Sequence, residues 1–143
     1  MGIGYICKSN LKLAVVVWDG IVAWDDWQKH LQRMFSDPAY ASMQIQITDL
    51  HYVSSSPTIS REQIQVMTDM FTRQRESLSL EKVALIAGDE WDKSQLVQIA
   101  LRDISVNSIV FNELATACLW LGVKLSEAEQ DIKQVLMKLR QNH

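Results

Sequence analysis

The hydrophobic pattern of this chain changes period several times, and each change marks an element. "YICK" and "LKLAVVVW" flank Ser9 and Asn10, two turn-forming residues, and predict a β-hairpin. The second of these strands is apolar on both faces from Leu13 to Trp18, the pattern of a central strand covered on both sides, and Asp19-Gly20 ends it. Trp24, Trp27, Leu31, Met34 and Phe35 then recur at helical spacing, with Asp25 and Asp26 in the first turn, where negative charge complements the macrodipole. Pro38 closes this helix.

"MQIQITDL" alternates and predicts a strand with one wetter face, followed by the polar stretch Ser54-Ser55-Ser56. Ser60 with Gln63 has the spacing of a capping box, and Ile64, Met67 and Phe71 continue one helical stripe behind it. "KVALIAG" reads as a buried strand, Leu96, Val97, Ala100 and Leu101 as a helix from about Glu90 to Asp103, and "SIVF" as another strand. Asn112 is placed to cap a short helix through Leu121, which Gly122 ends. Ser126 and Glu129 form a second capping box. They open a helix with Ile132, Val135, Leu136 and Leu139 at i, i+3, i+4 and i+7. The order ββαβαβαβαα predicts an α/β fold: a single, mostly parallel sheet of about five strands with a leading hairpin, flanked by helices.

Length and composition fit that fold. The 143 residues suffice for one domain with a substantial core, and 48% hydrophobic with 22% charged residues is a globular mix. We therefore expect one domain over residues 1–143, with residues 124–143 as an appended amphipathic helix. The net charge of −3, from 14 basic and 17 acidic residues, argues against a nucleic-acid partner. No apolar run approaches the length that spans a bilayer and no signal-peptide pattern opens the chain, so the expectation is a cytoplasmic protein that is not transmembrane. Cys7 and Cys118 lie far apart in apolar surroundings and read as small hydrophobes.

Two stretches carry a family resemblance. "VVVWDGIVAWDDW" (15–27) looks like the strand, glycine turn and acidic helix start of the SpoIIAA-like group of bacterial proteins, also described as STAS/Sec14-like. "VNSIVFNELATACLWLGV" (106–123) is similar to that group's last strand and closing helix, with Ala117, Trp120 and Leu121 at the matching positions. The resemblance runs from about Leu11 to Val123. It implies the STAS-like fold and a regulatory binding role without enzymatic activity or cofactor. In anti-sigma-factor antagonists an Asp-Ser-Ser-Gly loop at a helix start is phosphorylated by a partner kinase. Here Ser54 stands at the aspartate, Ser55 and Ser56 at the serines and Pro57 at the glycine, so the resemblance makes Ser55 and Ser56 the candidate phosphoacceptors.

Candidate chemistry is sparse. His30, His51 and His143 have no metal-ligand spacing, and no metal site is expected. His30 reads as a solvated position on a helix flank. Asp49, His51 and the Ser54–Ser56 loop contain the residue types of a nucleophile, base and orienter, which keeps a small hydrolase as an alternative. Glycine-rich phosphate loops are absent, so no nucleotide cofactor is expected. Of the five tryptophans, Trp18, Trp27 and Trp120 fall on core patterns, whereas Trp24 and Trp91 sit at helix beginnings where a ring can mark a partner surface. In open α/β sheets, ligands favour the carboxyl ends of the strands. That edge would gather Asp49 to Pro57, Gly88 to Trp91 and Phe111-Asn112, with Asp49, His51, Tyr52, Ser54, Asp89 and Trp91 as the candidate pocket or partner surface. The expected occupant is an unknown protein partner or a small apolar ligand, with a lipid or acyl chain in a Sec14-like pocket as an alternative. Two chains are also placed to pair through Ile132, Val135, Leu136 and Leu139.

Overall fold

Valine-rich Leu13–Ile21 (β2) forms the second strand of the computed structural model, which describes residues 2–55, 60–87 and 106–141. Antiparallel to it lies Gly2–Lys8 (β1), with Ile3 opposite Trp18 and Lys8 opposite Leu13. The turn between them spans Ser9 to Lys12, where Lys12 takes a left-handed φ of 54° and the Leu11 amide donates to the Lys8 carbonyl. Ile45–Ser55 (β3), Lys82–Ile86 (β4) and Asn107–Phe111 (β5) follow in parallel, giving the spatial order β1-β2-β3-β4-β5. The fold is α/β, a five-stranded and mostly parallel sheet with an antiparallel leading hairpin.

Because side chains alternate along a strand, β2 feeds two separate cores. Ala14, Val16 and Trp18 face Trp24–Phe35 (α1) and Arg61–Gln74 (α3), and pack with Trp27, Leu31, Met34, Met67 and Phe71. Leu13, Val15 and Val17 face the opposite way, onto Leu114–Leu121 (α4) and Leu125–Gln141 (α5). Edge-to-face pairs of Trp27 with Trp18 (5.0 Å between centroids) and with Trp24 (5.6 Å) tie α1 to the strand. Trp24 is thus half-buried against the core.

Several boundaries differ from the pattern-based expectation, each for a local reason. α1 ends at Phe35, and Pro38 opens a further short helix, Pro38–Ala41 (α2). Its N-cap Asp37 accepts from the Ala39 amide, which suits proline in the first helical turn. α3 starts behind Ser60 as expected, with the reciprocal Ser60–Gln63 bonds formed. α4 is capped at Glu113 rather than Asn112 and ends at Gly122, whose φ of 75° glycine accepts without strain. α5 begins at Leu125, so Ser126 lies inside its first turn, and the Ala128 amide already bonds to the Lys124 carbonyl. The helix expected at about 90–103 lies outside the described residues.

Two larger corrections and one packing result concern burial. His30 is not solvated but 2% exposed, because position 30 shares the face of Trp27, Leu31 and Met34. The wetter face of β3 is also covered: Gln46 and Thr48 are buried, with Tyr40 Oη donating to Gln46 Oε1 (2.6 Å) and Gln46 Nε2 to Thr48 Oγ1 (2.9 Å). Finally, the α5 stripe packs on its own sheet. Ile132, Val135 and Leu136 are buried against this chain's own β1 and β2, with Leu139 half-buried beside them. A Cβ on Gly4 of β1 would come within 3.1 Å of Leu139 and Val135, which shows how closely the helix lies on the strand. Ion pairs Lys8–Asp131 (3.1 Å) and Arg140–Asp19 (3.2 Å) tie its middle and its C-terminal end to β1 and β2.

Candidate functional site

The candidate site lies at the carboxyl ends of β2 and β3, and a disruption of their pairing builds it. Val17 lies opposite Asp49, yet Asp19 lies opposite Tyr52, so β3 carries one extra residue between these points. A second shift follows, with Gly20 opposite Val53 and Ile21 opposite Ser55. β2 therefore continues past Asp19 to Ile21, aided by Gly20 at φ 72°, and β3 continues through Ser55.

The bulge explains the chemistry around it. Asp49 is 3% exposed, and its Oδ1 accepts from both the His51 amide (2.9 Å) and His51 Nδ1 (3.0 Å). The carboxylate thus takes up an amide that the disrupted ladder leaves without a strand partner. Burial raises its pKa above the ordinary carboxylate value, while the bonds and charge of His51 pull the other way. Because the extra residue reverses the alternation, Tyr52 comes to the same face as Asp19, the face that α5 covers. There Arg140 of α5 lays its guanidinium 5.9 Å from the Tyr52 ring centre while donating through Nε and Nη2 to the Asp19 carboxylate, at 3.2 Å each. The hydrogen bonds and charge of Asp19 raise the Arg140 pKa further, so this cation is permanent.

Of the residues that sequence reasoning placed at this edge, Asp49, His51, Tyr52 and Ser54 are present together at the end of β3. Ser54 is exposed, and among the described residues no serine is bonded to His51. Ser54 and Ser55 are strand residues and not a helix start, since α3 begins only at Arg61 behind its own cap. Ser56, Asp89 and Trp91 lie outside the described residues. Trp24 belongs to the α1 core on the other face. The sequence reading missed Asp19, Arg140 and Ile21. Ile21 is 62% exposed and Tyr52 41%, unusual for large apolar side chains on strands. Among the described residues no group of three or more His, Cys, Asp or Glu is placed to hold a metal ion, and no helix is long and apolar enough to cross a membrane.

No family model and no curated protein matches this chain. A solved structure does: an uncharacterized protein of the DUF3478 family with a SpoIIAA-like fold from Shewanella loihica PV-4. It is 15% identical, covers 84% of this chain and 93% of its own, and superposes with a TM-score of 0.56. The similarity establishes that this chain has a SpoIIAA-like fold, as the two quoted stretches led us to expect.

Proposed function

We propose that the protein is a non-catalytic, STAS-like binding module that engages a protein partner through the surface at the carboxyl ends of β2 and β3. One observation carries this reading: Tyr52 stands exposed beside an arginine that Asp19 holds in place, and Ile21, two residues past Asp19 on β2, is exposed as well. Aromatic and arginine side chains dominate the energetics of protein interfaces, most of all when their rotamers are fixed before binding. The hydrolase reading has Asp49 and His51 together, but the bulge already accounts for that pair. A phosphoswitch at Ser55 or Ser56 would act at the same edge, because these serines lie three and four residues past Tyr52 in sequence.

The test is a photo-crosslinking amino acid placed at Tyr52 in the native host, with the same probe at exposed Thr72 on α3 as control. The expected outcome is an adduct of one discrete mass at position 52 and not at 72, lost when Ile21→Asp is added. No adduct at 52, or the same set of adducts at both positions, overturns the reading. Tyr52→Ala should leave the melting temperature close to the parent's, since the ring is exposed.

A further inference from the structure

The inner face of α5 is buried, and its outer face has features a merely solvated helix lacks. Gln130, Lys133, Gln134, Met137, Lys138 and Gln141 line a shallow depression of about 350 Å³, wide open to solvent, along it. A second hollow of about 420 Å³ shares Lys133, Met137 and Gln141 and adds Leu136 and Arg140. Met137 sits between the two with 60% of its surface exposed. Around it the walls are lysine stems, whose methylenes cover apolar surface while the ammonium groups stay at the rim.

The charge is one-sided. From Ile132 to Gln141 the helix carries Lys133, Lys138 and Arg140 and no carboxylate, on a chain whose net charge is −3. Arg140 is neutralised by Asp19, but Lys133 and Lys138 form no ion pair among the described residues. Glu129 stands one turn before Lys133 without bridging it, and Gln134 occupies the position from which a carboxylate would bridge Lys138. Through Arg140 this face is continuous with Tyr52.

We propose that the outer face of α5 docks an acidic segment of the protein partner, with one apolar side chain of that segment seated on Met137 and its carboxylates on Lys133 and Lys138. This rests on the partner-binding reading above and specifies the partner's chemistry. An apolar floor within a cationic rim is complementary to such a segment. A membrane surface is the weaker match, because stable anchoring needs a lipid chain or larger apolar face in addition to a basic patch.

The experiment uses full-length protein carrying ¹³C-methyl methionine. The probe is a blocked peptide of aspartate and glutamate with two leucines four residues apart, and the control has lysine at every acidic position. The expected result is a saturable shift of the Met137 methyl with a Kd under about 1 mM at low salt. Binding should weaken several-fold on raising salt and about tenfold in Lys133→Glu/Lys138→Glu. A Met137 signal that stays still, or moves equally with the control peptide, overturns the proposal. So does one that responds only to protein concentration or only to phosphatidylserine vesicles. A discrete adduct at position 52 with a silent Met137 sinks this inference alone and leaves the partner-binding reading standing.

Discussion

Acid should weaken this fold through one side chain, His30. It is 2% exposed on α1, its Nδ1 has no hydrogen-bond partner, and the Tyr5 ring of β1 packs against it at 5.8 Å. Burial, aided by the nearby Arg33 charge, lowers its pKa from 6.5 to about 3. Asp37 lies beyond Tyr5, held by the tyrosine hydroxyl at 2.6 Å, and gives His30 no direct hydrogen bond. In the folded chain the imidazole is therefore neutral across the range where the unfolded chain takes up a proton. Below pH 6.5 the unfolded state binds more protons, so stability falls with pH until about pH 3. Each pH unit in that window costs about 1.4 kcal/mol. A drop to pH 5, roughly 1.5 units, costs about 2 kcal/mol, a large part of a typical domain's stability.

Urea unfolding followed by tryptophan fluorescence, at pH 7.5 and pH 5, measures this in the parent and in His30→Leu. The substitution removes the proton site and an unsatisfied buried nitrogen, so it should be tolerated at pH 7.5. The stability difference between parent and variant should then shift by about 2 kcal/mol in the variant's favour at pH 5. Contributions from the other titratable groups are common to both chains and cancel. Parallel profiles for the two proteins, or an NMR titration placing His30 near 6.5 in the folded chain, would refute the reasoning.

Two further substitutions probe local arguments. Burial raises the Asp49 pKa, so the folded chain holds this proton more tightly than the unfolded chain and stability falls as pH rises through the window. Asp49→Asn keeps an acceptor for the His51 amide without the charge, and should be more stable than the parent at pH 7 in urea titrations. That advantage should disappear once both states of the parent are protonated. Ser60→Ala removes the side-chain acceptor of the Gln63 amide and should cost about 1 kcal/mol, read as a lower urea midpoint with an unchanged slope.

The strands and the α3 cap were legible in the sequence because they depend on local pattern: alternation in β3, an apolar run in β2, and Ser60 three residues before Gln63. His30 was misread as solvated although its spacing carried the signal. It stands three residues after Trp27 and four before Met34, on the stripe, and only its polarity argued for solvent. The site was half legible. Asp49, His51, Tyr52 and Ser54 are neighbours in sequence at a strand end, so any strand assignment places them together. Arg140 is 121 positions from Asp19, and nothing local to either residue pairs them. The bulge that turns Tyr52 towards Arg140 arises from how two strands fit, and a single strand's pattern carries no trace of it.

The C-terminal helix is where pattern and packing differ most, and removing it is the decisive experiment. Through Val123 the pattern already supplies a sheet and helices, which suggests a unit complete without α5. The structure assigns Leu13, Val15 and Val17, the buried middle of β2, to a core whose other wall is Ala128, Ile132, Val135 and Leu136. Losing three large side chains from that wall forfeits roughly 5–9 kcal/mol of apolar burial, at about 1.5–3 kcal/mol each. That is comparable to the whole stability of a domain, about 5–15 kcal/mol. A central strand would also be left with one face in water. A chain ending at Lys124 should therefore lack a cooperative thermal transition in circular dichroism, and should show collapsed amide dispersion. Adding a synthetic peptide of residues 125–141 should restore both, because the binding face is preserved on the partner strands. A truncated chain that melts cooperatively as a folded monomer would show that β2 can be covered without α5, and the helix would then be an appendage after all.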